Sequence, residues 1–121
     1  MATKFKQLTM SLAAVALIIG VSNAALAAEY EGVWKVADSK GVPFEITLNK
    51  DGTATATHTA YRKKGMKGTW KEEGGAAEIS WETGWITRIV KQGDKYVKYV
   101  FKKGVSPSGP PSNSSDAEKK Q

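Results

Sequence analysis

Six glycine-bearing turns cut the stretch from Tyr30 to Phe101 into short segments: SKG (Ser39 to Gly41), KDG (Lys50 to Gly52), KKG (Lys63 to Gly65), EEGG (Glu72 to Gly75), ETG (Glu82 to Gly84) and KQG (Lys91 to Gly93). Between the turns, β-branched and aromatic residues alternate with polar ones, and nothing has helical spacing. Five of the six turns have the form x-x-Gly. That form suits a three-residue hairpin loop closed by a residue in the left-handed region, where glycine costs least. Such a loop fixes the register of its two strands, and a one-residue slip would turn every side chain to the other face.

Register can therefore be read from the turns. KDG sets Leu48 opposite Ala54, Ile46 opposite Ala56 and Phe44 opposite His58. KKG sets Ala60 opposite Gly68 and His58 opposite Trp70, while SKG sets Val36 against Phe44 and Trp34 against Ile46. A two-residue Glu73-Gly74 loop brings Trp70 to Ala77. ETG sets Ile79 against Thr87 and Trp81 against Trp85, and KQG sets Thr87 against Val97 and Trp85 against Tyr99. One face then carries Trp34, Phe44, Ile46, Leu48, Trp70, Ile79, Trp81, Trp85, Val97, Tyr99 and Phe101. The other carries polar residues such as Lys35, Thr47, Thr55, Lys71, Arg88 and Lys98. The strand Trp85 to Val90 is the least constrained, because it leaves Ile86 and Val90 outside and a two-residue turn would invert it.

Consecutive antiparallel strands with one apolar face cannot stay flat and open in water without exposing that face and two edges. The expected fold is all-β: an antiparallel up-and-down meander of about seven strands curled into a small barrel over residues 28–103. The first strand, Glu31 to Ala37, would close beside the last, Tyr96 to Lys102. A half-open barrel or a small two-sheet sandwich is the alternative. Residues 104–121, GVSPSGPPSNSSDAEKKQ, offer almost nothing to bury and read as a disordered tail or an extended strap over the barrel.

The other end of the chain reads as a signal peptide over residues 1–27. Lys4 and Lys6 make a basic n-region, Leu12 to Val21 has h-region length, and Ala25-Leu26-Ala27 is a small-x-small cleavage site. The run from Leu12 to Ala28 is broken by Gly20, Ser22 and Asn23 and falls short of the ~20 apolar residues that span a bilayer, so no transmembrane segment is expected in the mature protein. A periplasmic or secreted location follows. With no cysteine, the fold must stand on its core without disulfides.

The net charge of the whole chain is +6, and +4 without Lys4 and Lys6; this mild excess favours solubility, and export argues against a nucleic-acid partner. The basic cluster RKKGMK, Arg62 to Lys67, sits on a hairpin tip and reads as a solvated one. A monomer is expected.

Gly32-Val33-Trp34, opening the first strand of a meander barrel, resembles the opening motif of lipocalins and their calycin relatives, and Gly68-Thr69-Trp70 repeats it in the fourth strand. The resemblance covers the strand region only. It implies that the tryptophan closes one end of the barrel, that the glycine permits close strand approach, and that the interior can hold a ligand. Small periplasmic inhibitors of secreted metalloproteases are calycin barrels nearer this size, which adds the alternative of an envelope protein-interaction or inhibitor module with a solid core.

The chemistry on offer is narrow. His58 is the single histidine, and its expected neighbours Phe44, Trp70, Ala56 and Ala60 include neither nucleophile nor carboxylate, so no catalytic residue is assigned. No cysteine and one histidine argue against a transition-metal site. Asn49, Asp51 and Thr53 begin like a calcium loop but lack its closing glutamate, and read as a turn. Glu72 and Glu73 lie in a hairpin turn, and Glu78 and Glu82 point outward, which leaves no carboxylate pair in a cleft. No cofactor is implied.

What remains is a non-enzymatic barrel whose inward aromatics either fill the space beside Ala54, Ala56, Ala60, Gly68 and Ala77 or line a cavity for a small apolar or aromatic ligand. The residues assigned to such a site are Trp34, Phe44, His58, Trp70, Trp81, Trp85 and Tyr99.

Overall fold

A computed structural model describes residues 25–57 and 64–120. After a helical turn over residues 25–30, eight antiparallel strands follow in chain order. They are β1 (Gly32–Ala37), β2 (Pro43–Leu48), β3 (Thr53–Ala56), β4 (Met66–Glu73), β5 (Ala76–Trp81), β6 (Ile86–Gln92), β7 (Lys95–Phe101) and β8 (Asn113–Lys119). Each strand pairs with its sequence neighbour, and β8 returns to β1, so the sheet closes into a barrel without a free edge.

Three of the x-x-Gly turns take the anticipated form. At SKG, Gly41 (φ 81°) donates its N–H to the Asp38 carbonyl and Asp38 donates to the Val42 carbonyl. KDG and ETG repeat the pattern with Gly52 (φ 89°) and Gly84 (φ 92°). The registers they dictate are present: Trp34 faces Ile46, Leu48 faces Ala54, and Ile79 faces Thr87.

The other three turns differ. In EEGG the loop is Gly74-Gly75, both at positive φ (62° and 83°), the requirement of a type I′ turn. Trp70 therefore faces Ile79 instead of Ala77, a slip of two residues that keeps the inward parity. In KQG the loop is Gly93-Asp94, so Gln92 pairs with Lys95 and Thr87 faces Val100. This odd slip inverts β7: Lys98 points into the barrel, and Tyr99 points out and accepts a hydrogen bond from the Gln92 amide.

The third difference is at KKG. β3 ends at Ala56, and Ala54 rather than Ala60 faces Gly68; Ala56 faces Met66. The strands are joined by a long connection, part of which, including His58, lies outside the described residues.

The barrel has eight strands rather than seven because the segment read as a disordered tail or strap supplies β8. It lies between β7 and β1, which consequently do not pair with each other. Of its residues only Ala117 is buried. Its place comes from the backbone: it pairs Tyr96–Val100 on one side and Trp34–Lys35 on the other, satisfying donors and acceptors that two open edges would leave bare.

The core is the alternate-residue set facing inward. Trp34, Ile46, Leu48, Ala54, Ala77, Ile79 and Ile89 are all essentially inaccessible. Large and small residues face each other across it, as close packing requires.

Candidate functional site

The two ends of the barrel are built differently. At one end the connections β2–β3, β4–β5 and β6–β7 are tight, and Glu29 and Tyr30 contact Gly75, Lys91 and Tyr96 there. Tyr30 is fully buried there; its hydroxyl donates to the Gly75 carbonyl (2.8 Å), and the Trp34 indole N–H donates to the Tyr30 carbonyl (2.9 Å). Tyr96 meets Trp34 edge-on with centroids 4.8 Å apart, and meets Tyr30 at 5.9 Å. The Tyr96 hydroxyl donates to the Glu29 carboxylate (2.5 Å). Burial and that anionic acceptor push the Tyr96 phenol up to about 12, while the same hydrogen bond holds Glu29 below its usual range. Three packed rings stopper this end.

The opposite end carries the β1–β2 turn, the long β3–β4 and β7–β8 connections and the ETG turn. Here lies a cavity of about 200 Å³. Its apolar wall is made by Phe44, Ile46, Met66, Trp81, Trp85 and Val100, and its polar groups include Thr87, Lys98 and Asn113, with Asp38 and Lys40 at the rim. The Trp81 indole N–H donates to Thr87 Oγ1 (2.8 Å), which fixes the ring against the wall and satisfies its one polar atom.

Lys98 dominates the electrostatics. It is 2 % exposed, its Nζ donates to the Ala37 carbonyl (2.5 Å), and the ammonium stands 5.0 Å from the centre of the Phe44 ring. No carboxylate forms an ion pair with it among the described residues. Burial pulls its pKa down to about 8, against a weaker opposing pull from Asp38. Asp38 is engaged elsewhere, accepting the N–H groups of Lys40 and Val42 at 2.9 Å each.

Of the residues assigned from sequence, Phe44, Trp81 and Trp85 line this cavity. Trp34 belongs to the stopper at the other end. Trp70 is buried, with its indole N–H donating to the Asn49 carbonyl (2.7 Å) at the β2–β3 turn. Tyr99 faces outward, and His58 lies outside the described residues. Sequence reading missed Lys98 and Asn113, the first through the β7 inversion and the second because β8 read as a tail. The Gly-Asp pair at 93–94 is a recognised two-residue hairpin signal and could have placed Lys98 inside.

Among the described residues no three or more His, Cys, Asp or Glu side chains stand close enough to hold a metal ion. No helix among them is long and apolar enough to cross a membrane. In comparisons with known proteins, no family model, no curated protein and no solved structure matches the chain.

Proposed function

We propose that this chain is a non-enzymatic, exported, lipocalin-like binding protein that takes a small aromatic or apolar molecule into the open end of its barrel. The observation that carries this reading is the asymmetry of the interior: one end is stoppered by Tyr30, Trp34 and Tyr96, and the other keeps about 200 Å³ beside Phe44, Trp81 and Trp85. An aromatic-walled recess with a few convergent polar groups is the usual form of a small-molecule site. A volume of this order is enough for a single-ring compound. Export rests on the basic, apolar and small-x-small segments of residues 1–27, and the calycin relationship on the G-x-W stretches in a closed meander.

The test is titration with a neutral single-ring compound, benzyl alcohol, followed by tryptophan emission and by thermal melting. Binding should shift or quench emission from Trp81 and Trp85 and raise the melting temperature, since a ligand that binds only the folded state stabilises it. Val100→Phe, which fills the recess from β7, should abolish both responses while leaving the protein folded. If the native chain shows neither response, the recess is not a binding site.

A further inference from the structure

We propose that the ligand is a small aromatic carboxylate, its ring held between Phe44, Trp81 and Trp85 and its carboxylate paired with the ammonium of Lys98. This deepens the reading of the recess as a ligand site and rests on it.

A buried ammonium is costly unless it is paired and hydrogen-bonded. Lys98 Nζ has three N–H donors, of which the Ala37 carbonyl takes one, and no other acceptor engages it among the described residues. An aromatic face lies on one side, where Phe44 sits 5.0 Å away. The remaining donors belong to a residue that lines the recess, so an anion bound there would lie beside Lys98.

The polar neighbours fit the same ligand. Asn113 enters the recess from β8 as an amide donor, and the Thr87 hydroxyl, having accepted from Trp81, still has its own hydrogen to give. Size sets the other limit: benzene occupies a cavity of ~150 Å³, so about 200 Å³ admits one ring and roughly two further non-hydrogen atoms, with any remaining polar atoms at the open mouth. This excludes a long acyl chain and fits a single ring with a short acid arm.

The charged groups facing Lys98 are Asp38 and Lys40, both on the β1–β2 turn; β2, β6 and β8 present Phe44, Thr87 and Asn113 to the recess. Asp38 opposes an anion, but its carboxylate is turned into two backbone N–H groups of its own turn.

The experiment compares phenylacetate with phenylacetamide, its neutral isostere, by calorimetric titration of the full chain at pH 7 and at pH 9.5. At pH 7 the carboxylate should bind at least about ten-fold more tightly than the amide, as a charge-assisted contact outweighs a neutral one. That preference should shrink at pH 9.5, where Lys98 loses its proton, while the amide's affinity stays level. Lys98→Met should remove the preference and Lys98→Arg should retain part of it. The pH series on the native chain gives the answer even if a variant fails to fold. Equal binding of the two probes at pH 7 overturns the carboxylate assignment and leaves the recess as a ligand site. If neither probe binds up to about 10 mM, the range expected of ligands this small, the carboxylate assignment falls. Benzyl alcohol then decides whether the recess falls with it.

Discussion

Gly68 and Ser80 stand so close across the β4–β5 pair that a Cβ on Gly68 would lie 2.3 Å from the Ser80 carbonyl oxygen and 3.0 Å from the Trp81 Cα. Both obstructing groups are backbone, so neither can swing aside. Gly68→Ala should therefore cost about 3 kcal/mol by overpacking, measured as a lower urea midpoint, and should also displace Trp81 from the recess wall. Thr69→Ala, the outward neighbour, should stay within about 0.5 kcal/mol of the native chain. Equal stability of the two variants would mean that β4 and β5 do not approach so closely.

The stopper makes a separable claim. Tyr30 is fully buried and ties the residues before β1 to the β4–β5 turn through Gly75. Tyr30→Phe should lose one hydrogen bond, about 1 kcal/mol, and Tyr30→Ala should lose about 3–5 kcal/mol through the cavity it leaves. If the alanine variant is no worse than the phenylalanine variant, the ring does not pack as described.

Where the sequence was legible, local chemistry determined the answer. Gly41, Gly52 and Gly84 each close a three-residue loop, and the registers on either side follow without reference to the rest of the chain. β7 was illegible for a physical reason. In KYVKYVF one face reads Lys95, Val97, Tyr99, Phe101 and the other Tyr96, Lys98, Val100, so hydrophobicity favours turning Lys98 out. The Gly93-Asp94 loop turns it in, and the barrel accommodates the ammonium with the Ala37 carbonyl and the Phe44 ring. β8 left even less trace, because Asn-Ser-Ser-Asp-Ala-Glu-Lys has poor strand propensity and is held by its backbone groups. The recess was thus legible in Phe44, Trp81, Trp85 and Thr87 and illegible in Lys98 and Asn113.

Because β8 joins β1 to β7, its deletion should open the barrel. Removing residues 104–121 would strip β1 and β7 of their shared partner and uncover Trp34 and Tyr96 beside Ala117. The shortened chain should lose its cooperative melt followed by circular dichroism and should aggregate through the exposed edges. A disordered tail could be removed without consequence, so an unchanged melting temperature would count against an eighth strand.

The buried Lys98 gives the fold a pH dependence whose sign can be worked out. Its folded-state pKa is about 8, below the ordinary 10.5, so between those values the unfolded chain binds more protons than the folded one. Stability should therefore rise with pH across that window, by up to about 3 kcal/mol at one pKa unit per 1.36 kcal/mol. Below pH 8 the cost of the buried charge is fully present. Tyr96 acts in the opposite sense: its raised pKa contributes stability that is complete below pH 10 and declines toward pH 12. The interval from pH 8 to 10 consequently isolates Lys98. Urea unfolding of the native chain and of Lys98→Met should converge across it, with the methionine variant more stable at pH 7, because an apolar side chain replaces an unpaired buried cation. Parallel pH profiles for the two proteins would place the Lys98 ammonium in water and remove it from the recess.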